Sequence, residues 1–376
     1  MWGLYTRGMS GLKKHADRWL FISAGILIAS GVGVFASGAF GLLARGETHI
    51  SSVVFNHTVL GVGLGIVVLF ITSIIDYKRW KRFALPLFIF SIVLTALVFV
   101  PDIGITHGGG TRWIDLGFLS FQPSETMKIG AVLFAAVYFS SIRQRVATIQ
   151  YGVVGLLGVL ALPTLLLVLQ PDIGTLGIIV VSVGAIYVAA GARMRDVVLV
   201  ALIGVLLIGA LALTRPYVKD RLLTFINPAD NPQTEGYQIR QSLIAIGSGG
   251  VSGRGFGQGI QKFTYLPEPM GDSIFAVAAE EFGFFGSVFV VGTFLVFALR
   301  GFTVASRAGD SFGTLLGVGI VSYLVAEAFI NIAGMVGLIP LTGVPLTFFS
   351  QGGTAMLVSL GSVGILLSIS KRVAHS

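Results

Sequence analysis

The chain has 376 residues, of which 54% are hydrophobic and only 11% are charged. Because an average soluble domain carries about 25% charged residues, this composition excludes an ordinary soluble domain. The apolar residues occur in repeated runs of about 20, the length at which a helix spans a bilayer, and they predict an all-α integral membrane protein. The absence of cysteine excludes disulfides, thiolate metal sites and cysteine nucleophiles.

Residues 1–18 are basic and amphipathic and are expected to form a cytoplasmic arm. The apolar run after them is too long for a signal-peptide core, so it predicts a retained first span. A single membrane domain of ten transmembrane helices is expected over 1–376, with both termini on the same side. The predicted spans are roughly 19–44, 54–75, 82–100, 124–142, 150–169, 174–192, 196–214, 273–299, 311–336 and 352–370.

The basic residues predict which side faces the cytoplasm. Sixteen of the 25 Lys and Arg residues lie on alternate connections or at the ends of the chain, and the positive-inside rule assigns those parts to the cytoplasm. The net charge of +8 is thereby explained by topology, and no nucleic-acid partner is expected. These residues are Arg7, Lys13, Lys14, Arg18, Lys78, Arg79, Lys81, Arg82, Arg143, Arg145, Arg193, Arg195, Arg300, Arg307, Lys371 and Arg372.

Two outer segments are long, at about 101–123 and 215–272. The second is a large extracellular loop between spans seven and eight. Structureless loops of this length are uncommon, which favours a functional or partly helical segment. Its part 236–247 has the apolar spacing of a short helix at the membrane interface, and a Gly-rich turn follows at 247–259.

Polar residues concentrate on the outer side, first around Arg112 and the start of the fourth span. Pro123 suits the first turn of a helix, and Glu125 and Lys128 then share one helix face. The cluster could be an entrance cap with a local ion pair, or a charged wall that faces a polar headgroup.

Two further outer features have alternative interpretations. Asp172, after Gln170 and Pro171, could cap the next helix, or bind a metal or a sugar hydroxyl. Several basic residues of the large loop break the topological charge pattern, which a phosphate-bearing lipid substrate would explain. The alternative is charge that is tolerated in a long translocated loop. These basic residues are Arg215, Lys219, Arg221, Arg240, Arg254 and Lys262.

Asp272 lies where the eighth span begins, so it could be a helix N-cap or a functional acid. Glu280 and Glu281 lie two turns deeper. A buried carboxylate is usually paired or protonated, so at least one of them is expected to face the bundle interior.

Together these residues resemble the SEDS family of bacterial cell-wall polymerases, the FtsW, RodA and SpoVE group. The matching residues, in family order over nearly the whole chain, are Arg112–Ile114, Gln122–Glu125, Lys128, Gln170–Thr175, Asn227, Pro228, Gly236–Gln238, Gln241, Ser242, Ala245–Gly250, Gln261–Phe263, Leu266–Glu268, Asp272, Glu280–Gly283, Gly337–Pro340, Thr342, Gly343, Phe349, Ser350, Gly352 and Gly353. The segment around Gln261–Phe263 looks more like FtsW than RodA. Where the family usually has His-Thr before the aspartate, this chain has Met270-Gly271, and Gln351 stands where a Tyr is usual.

The resemblance implies a peptidoglycan glycosyltransferase of the bacterial cytoplasmic membrane that polymerises lipid II with inversion, with a role in cell division at the septum. It implies a class B penicillin-binding protein as transpeptidase partner, together with other divisome or elongasome proteins. Asp272 would be the general base, and a divalent cation such as Mg²⁺ could help to stabilise the diphosphate. The implied substrate-binding residues are Arg112, Glu125, Lys128, Asp172, Arg215, Arg221, Lys262, Glu268 and Glu281.

Two other functions stay open on the residues alone. In a lipid II flippase, Glu280, Glu281 and Glu327 would line a translocation path. The charges at the outer mouth and the lack of an evident internal repeat favour the enzyme. In a non-catalytic scaffold that activates the transpeptidase, the changed Met270-Gly271 setting would be tolerated.

Overall fold

The structure is a computed structural model that describes residues 16–45, 50–101, 103–107, 110–115, 120–227 and 235–372. Most of the arm predicted at 1–18 therefore lies outside the described residues. The first half contains helices α1 (Arg18–Ala44), α2 (Ile50–Phe55), α3 (Leu64–Ile74), α4 (Ala84–Leu97), α5 (Pro123–Ser141), α6 (Val154–Leu169) and α7 (Ile173–Ala189). The second half contains α8 (Met194–Thr214), α9 (Pro216–Ile226), α10 (Glu235–Gly249), α11 (Gln261–Thr264), α12 (Ile274–Ser306), α13 (Ser311–Met335) and α14 (Gly353–Ser370).

Shorter helical segments extend three of these helices. A π-helix (Asn56–Gly63) joins α2 to α3, and a second π-helix (Ile149–Val153) leads into α6. A 3₁₀-helix (Tyr77–Phe83) precedes α4. Within the described residues, eight of the resulting helical runs are long and apolar enough to cross a membrane. This agrees with the expectation of a multi-pass helical membrane protein.

The other two predicted spans also coincide with helices. α7 is apolar but only 17 residues long. α5 begins at Pro123, as predicted, and carries Glu125 and Lys128 in its first turns. A total of ten spans thus stays a prediction.

Contacts at one end of the bundle bring the two ends of the described chain together. The backbone N–H of Asp17 donates a hydrogen bond to Ser370 Oγ at 3.1 Å, and Arg300 forms an ion pair with Asp17. Arg372 forms an ion pair with Asp76 at 3.3 Å. Two chain ends at one end of the bundle fit an even number of membrane crossings. That this end faces the cytoplasm stays a prediction.

The all-α prediction is wrong for the segment between α4 and α5. It folds into a three-stranded antiparallel sheet of β1 (Gly104–His107), β2 (Gly110–Asp115) and β3 (Ser120–Phe121). β2 includes Thr111, Trp113 and Ile114, and β-branched and aromatic residues of this kind favour strands. The strands are too short for their alternation to be evident in the sequence.

The core is built around α13, which packs against α5, α7 and α12, while α14 packs against α3. Glycine permits the close approach of α3 and α14, because a Cβ at Gly364 would lie 1.9 Å from Thr72 Oγ1. Thr72 Oγ1 donates a hydrogen bond to Gly361 O at 2.9 Å across the same contact. Small residues and hydroxyl bonds of this kind are the usual means of packing helices in lipid. At the periphery, α8 buries only Asp196.

The described parts of the large loop contain three helices, α9, α10 and α11. α10 covers the short helix predicted at 236–247, whereas α9 was not predicted. α10 packs against α12 and α13, and its Ile239 and Ala245 are buried there. The loop is therefore folded onto the ends of the spans at the site of Asp272.

α12 is interrupted at Gly283, whose φ of 65° and ψ of −160° are not helical. The N–H groups of Phe284 and Phe285 donate to Gly250 O and Val251 O instead of to carbonyls of their own helix. The carbonyls released in this way, those of Glu280 and Glu281, accept from the N–H groups of Arg254 and Gly255. Four bonds between the helix and the Gly-rich turn of the large loop thus replace two intrahelical bonds, so these four backbone groups of α12 stay paired.

We expect Gly283→Ala to destabilise the protein. Its backbone conformation is essentially restricted to glycine, at a cost of about 1–3 kcal/mol for another residue. A Cβ there would also lie 2.3 Å from Gly253 N. Gly292→Ala in the same helix is the control, because its Cβ meets nothing within 4 Å and Ala is the better helix former. Thermal unfolding in detergent measures both, and equal melting temperatures for the two variants would contradict this account.

Candidate active site

Asp272 is not the N-cap of α12. The cap residue is Ser273, and no side chain makes a capping bond at this end. The segment before the helix is held by a turn in which the N–H groups of Gly271 and Ser273 both donate to Glu268 O. The capping interpretation of Asp272 therefore fails, and its carboxylate remains available for another role.

Two amides from neighbouring helices fix the position of Asp272. Gln238 on α10 donates from Nε2 to Asp272 Oδ1 at 2.9 Å and to Ser273 Oγ at 3.0 Å. Asn331 on α13 donates from Nδ2 to the backbone carbonyls of Asp272 at 2.7 Å and Val344 at 2.8 Å. Asn331 thus joins the start of α12 to the segment before α14, and Gln238 orients the carboxylate.

The surroundings of Asp272 raise its pKa to about 6. Burial makes the largest contribution, and the negative charge of Glu268 adds to it. The hydrogen bond from Gln238 and the positive charge of Arg221 act in the opposite direction. A carboxylate with this pKa is a competent proton acceptor near neutral pH.

Arg221 and Asp272 face the same glycine. A Cβ at Gly343 would lie 3.7 Å from Arg221 Nη2 and 3.9 Å from Asp272 Oδ2. The Arg221 guanidinium also lies over the ring of Tyr217, 4.3 Å from its centroid. The absence of a side chain at Gly343 leaves space between a cation and the candidate base.

Arg112 on β2 connects the sheet to this group. Its guanidinium donates to the carbonyls of Gln170 and Pro171 and, at 3.4 Å, to the hydroxyl of Tyr217. Tyr217 therefore contacts both Arg112 and Arg221. Through these bonds Arg112 holds the loops around the site in place.

Asp172 caps α7, as one of its two interpretations predicted. Its Oδ1 accepts a hydrogen bond from Thr175 N at 3.2 Å. Its Oδ2 is buried and has no hydrogen-bond partner in the described part of the chain. α7 starts against the segment that contains Gly343, since a Cβ at Gly174 would lie 3.0 Å from Thr342 O. Asp172 and Asp272 thus flank the same segment.

Glu125 and Lys128 form the expected ion pair, with a third partner. Lys128 Nζ lies 2.8 Å from Glu125 Oε2 and 2.7 Å from Glu327 Oε2, and all three side chains are buried. The bond to Glu327 crosses from α5 to α13. The prediction that these residues bind substrate has no direct test in the structure, which shows them engaged with one another.

Lys262 and Glu281 form a second buried ion pair. Lys262 Nζ lies 2.5 Å from Glu281 Oε1 and 2.6 Å from Ser37 Oγ, and Ser37 donates to the same carboxylate. Both charged side chains are fully buried. The pair therefore ties α1, α11 and α12 together, and its role toward substrate also stays a prediction.

The remaining acidic and basic residues are more exposed or bound to backbone. The carboxylate of Glu280 accepts hydrogen bonds from the N–H groups of Ile260 and Gln261 at the start of α11. Glu268 is exposed and lies 3.4 Å from the side-chain amide of Gln351. Arg215 is exposed at the start of α9.

Met270 and Gly271, which stand where the family usually has His and Thr, occupy closely packed positions. Met270 is fully buried, and its Cγ would lie 3.0 Å from a Cβ at Gly38 of α1. A Cβ at Gly271 would lie 3.0 Å from Glu268 Oε2. The two residues therefore pack the turn before Asp272 without supplying a hydrogen-bonding side chain to it.

Sequence reasoning assigned no role to Gln238, Asn331 or Tyr217. Asn331 had a usable signal, because an amide within an apolar span needs a partner. Gln238 and Tyr217 lie on loop helices whose positions depend on the fold. Among the described residues, no three His or acidic side chains converge on a point that could hold a metal ion. The predicted divalent cation stays a prediction.

The chain is similar to known proteins over nearly its whole length. Stage V sporulation protein E of Bacillus subtilis (strain 168) is 35% identical over 363 residues, which cover 96% of this chain and 99% of that protein. A probable peptidoglycan glycosyltransferase FtsW of Geobacter sp. (strain M18) is 35% identical over 358 residues, covering 95% of this chain and 97% of its own length.

Two solved structures share the fold. A chain from a study of the structural coordination of polymerization and crosslinking by a peptidoglycan synthase complex has a TM-score of 0.78 at 25% identity, covering 94% of this chain and 97% of its own. The crystal structure of the Thermus thermophilus rod shape determining protein RodA has a TM-score of 0.67 at 25% identity, covering 94% and 96%.

The sequence model of the family described as cell cycle protein, FtsW/RodA/SpoVE, matches residues 17–375. Since that match spans nearly the whole chain, the protein belongs to the FtsW/RodA/SpoVE family.

Proposed function

We propose that this protein is a peptidoglycan glycosyltransferase that polymerises lipid II at the outer face of the bacterial cytoplasmic membrane. The observation that carries the proposal is the state of Asp272, which is partly buried, makes no capping bond and lies beside Arg221. The FtsW relatives, which are named probable peptidoglycan glycosyltransferases, support the same activity.

In the proposed reaction, a sugar hydroxyl of incoming lipid II is the acceptor, and a glycan on its lipid diphosphate is the donor. A carboxylate oxygen of Asp272 takes the proton of this hydroxyl while the hydroxyl oxygen attacks the anomeric carbon of the donor. The bond from that carbon to the diphosphate breaks, and the lipid diphosphate leaves with the bonding electrons. Attack opposite to the leaving group inverts the anomeric centre.

Negative charge grows on the leaving diphosphate, so cations positioned nearby accelerate the step. Arg221 is the first candidate, because its guanidinium shares the space beside Gly343 with the candidate base. Arg112 and exposed Arg215 would contact the diphosphate from the sheet and from the start of α9. Lys128 would act through its ion pairs, which hold α5 against α13.

The acidic residues of the proposed flippase path argue against transport. Glu281 and Glu327 each pair with a buried lysine, and Glu280 accepts backbone N–H bonds at α11. A translocation path needs groups that change partners, whereas these connect packed helices. A solely scaffolding role would leave unexplained why an unused carboxylate is kept partly buried.

The partner that we propose is a class B penicillin-binding protein, because a chain that shares this fold belongs to a peptidoglycan synthase complex in which polymerization and crosslinking are coordinated. A role at the division septum rests on the FtsW-like relatives, and other divisome or elongasome proteins would assemble there. The outward position of Asp272 rests on the basic residues at the opposite end of the bundle.

Asp272→Asn is expected to lower the polymerisation of lipid II by at least about 100-fold, since a positioned general base contributes about 10²–10⁴-fold. The assay is glycan formation by the purified protein with its penicillin-binding partner in liposomes. The variant should melt no lower than the wild type, because a neutral amide costs less to bury beside Glu268. Asp220→Asn, an exposed acid on α9, is the control and should retain activity. Full polymerisation by Asp272→Asn, or lipid transport without polymer, would refute the proposal.

The rate should rise with pH through about 6, because Asp272 acts only when it has lost its proton. Glu268→Gln removes a negative charge, so it should lower the pKa of Asp272 and move the rise in rate to lower pH. Gln238→Leu removes a hydrogen bond that stabilises the carboxylate, so it should raise the pKa of Asp272 and move the rise in rate to higher pH. The pH profile of kcat/KM for the three proteins measures these shifts, and three superimposable profiles would exclude Asp272 as the titrating group.

Arg221→Gln is expected to reduce kcat by about 10²-fold or more, in the range found for removal of one transition-state donor. Arg221→Lys should recover part of the loss, because it restores the charge without the planar donor geometry. Lys219→Gln on the same helix removes an equal charge from an exposed position and should have little effect. Equal losses for Lys219→Gln and Arg221→Gln would indicate only a general attraction of the anionic lipid.

A further inference from the structure

A cavity of about 240 Å³ lies between the π-helix that starts at Asn56, the small sheet and the turn before α14. No role has been assigned to it so far. Its described lining residues are Val53, Asn56, His57, Ile105, Trp113, Ser120, Gln351, Gly352 and Gly353. None of these residues is acidic, and none is Lys or Arg.

His57 lines this cavity, and within the described residues neither of its ring nitrogens is paired. The side chain is completely buried, and neither Nδ1 nor Nε2 has a hydrogen-bond partner in the described part of the chain. Its ring stacks on Phe35 with the centroids 3.8 Å apart, which fixes the plane of the imidazole. The adjacent Asn56 Oδ1 is also buried and unpaired.

Unpaired buried polar atoms are costly, and two neighbouring residues with this property call for a physical reason. Both residues belong to the π-helix (Asn56–Gly63), and π-helical turns inside α-helical runs occur frequently at functional sites. A bound ligand that supplies hydrogen bonds would remove the cost.

The lining indicates the chemistry of that ligand. A neutral imidazole offers one donor and one acceptor, and the side-chain amides of Asn56 and Gln351 offer both. Among the described lining residues there is no Lys or Arg to hold a phosphate. Trp113 supplies an aromatic surface for the apolar face of a sugar ring. Since sites for drug-sized ligands occupy about 300–1,000 Å³, this volume fits one substituted ring and not a disaccharide-peptide.

Gln351 connects this cavity to Asp272. Its backbone N–H donates to Met270 O at 2.6 Å, and its side-chain amide contacts Glu268 at 3.4 Å. Ser350 Oγ donates to Gly271 O at 2.7 Å in the same contact. The wall of the cavity is thus bonded to the turn that precedes the candidate base.

We infer that the His57 cavity is a subsite for one uncharged acetamido sugar of the lipid-linked substrate. The inference rests on the proposed function and extends it to residues outside the Asp272 site. His57 and Asn56 accept and donate hydrogen bonds to the acetamido or hydroxyl groups, and Trp113 covers the ring. The subsite holds the sugar relative to Asp272 through Gln351, while the diphosphate stays with the arginines.

The test separates sugar recognition from turnover. Asp272→Asn protein in nanodiscs is titrated with lipid II and with undecaprenyl diphosphate, which lacks the sugars. Adding His57→Phe should weaken lipid II binding by about tenfold, equivalent to about 1.4 kcal/mol, and should leave undecaprenyl diphosphate binding unchanged. His57→Gln, which keeps a donor and an acceptor, should retain most of the affinity. Thr58→Val is the control, because its hydroxyl bonds to Val54 O in its own helix.

An equal loss for both lipids, or no loss for either, would overturn the subsite. If His57→Phe does not fold, Asn56→Leu takes its place under the same criteria. If His57→Phe weakens the binding of lipid II alone but the wild-type protein makes no polymer, the proposed enzyme activity is refuted and the subsite is retained. If the wild-type protein makes polymer but His57→Phe does not weaken lipid II binding selectively, the subsite is refuted and the enzyme activity is retained.

Discussion

The candidate site depends on the break in α12 at Gly283. An uninterrupted helix would use the carbonyls of Glu280 and Glu281 for its own bonds, and the loop would have no backbone groups to pair with. At the break the loop supplies both the donors and the acceptors. The large loop is thereby hydrogen-bonded to the helix that begins just after Asp272. Glycine is required on both sides, because a Cβ at Gly253 would lie 2.1 Å from Glu281 O.

The two buried ion pairs stabilise the same region from different directions. Lys262 with Glu281 joins the loop to α1 and α12, and Lys128 with its two glutamates joins α5 to α13. Removing one partner from such a pair leaves an uncompensated buried charge, which costs about 3–5 kcal/mol. Loss of activity on mutation of any of these residues would therefore not identify a substrate contact without a measurement of folding.

The sequence predicted the helices and the acidic clusters well, because apolar runs and charged residues within them have strong local signals. Glu125 and Lys128 were paired correctly from their spacing on one helix face. The partner Glu327 is 199 residues from Lys128, and no local pattern can reveal such a contact. The sheet at 104–121, the helix α9 and the amide of Gln238 were missed for a similar reason, since tertiary packing determines them. The sequence analysis assigned no role to His57, because only the fold shows that its ring nitrogens have no partner among the described residues.

The acids of this end of the protein differ in how their charge is satisfied, and that difference selects the base. Glu125, Glu281 and Glu327 each contact a buried lysine, and Glu280 accepts backbone N–H bonds. A general base must be able to reach the proton of the substrate with an electron pair, and a carboxylate that is held in a buried ion pair is not placed to do so. Asp272 accepts a side-chain amide bond at Oδ1, while its Oδ2 faces the space beside Gly343. Its pairing is thus strong enough to orient the carboxylate and weak enough to leave it basic.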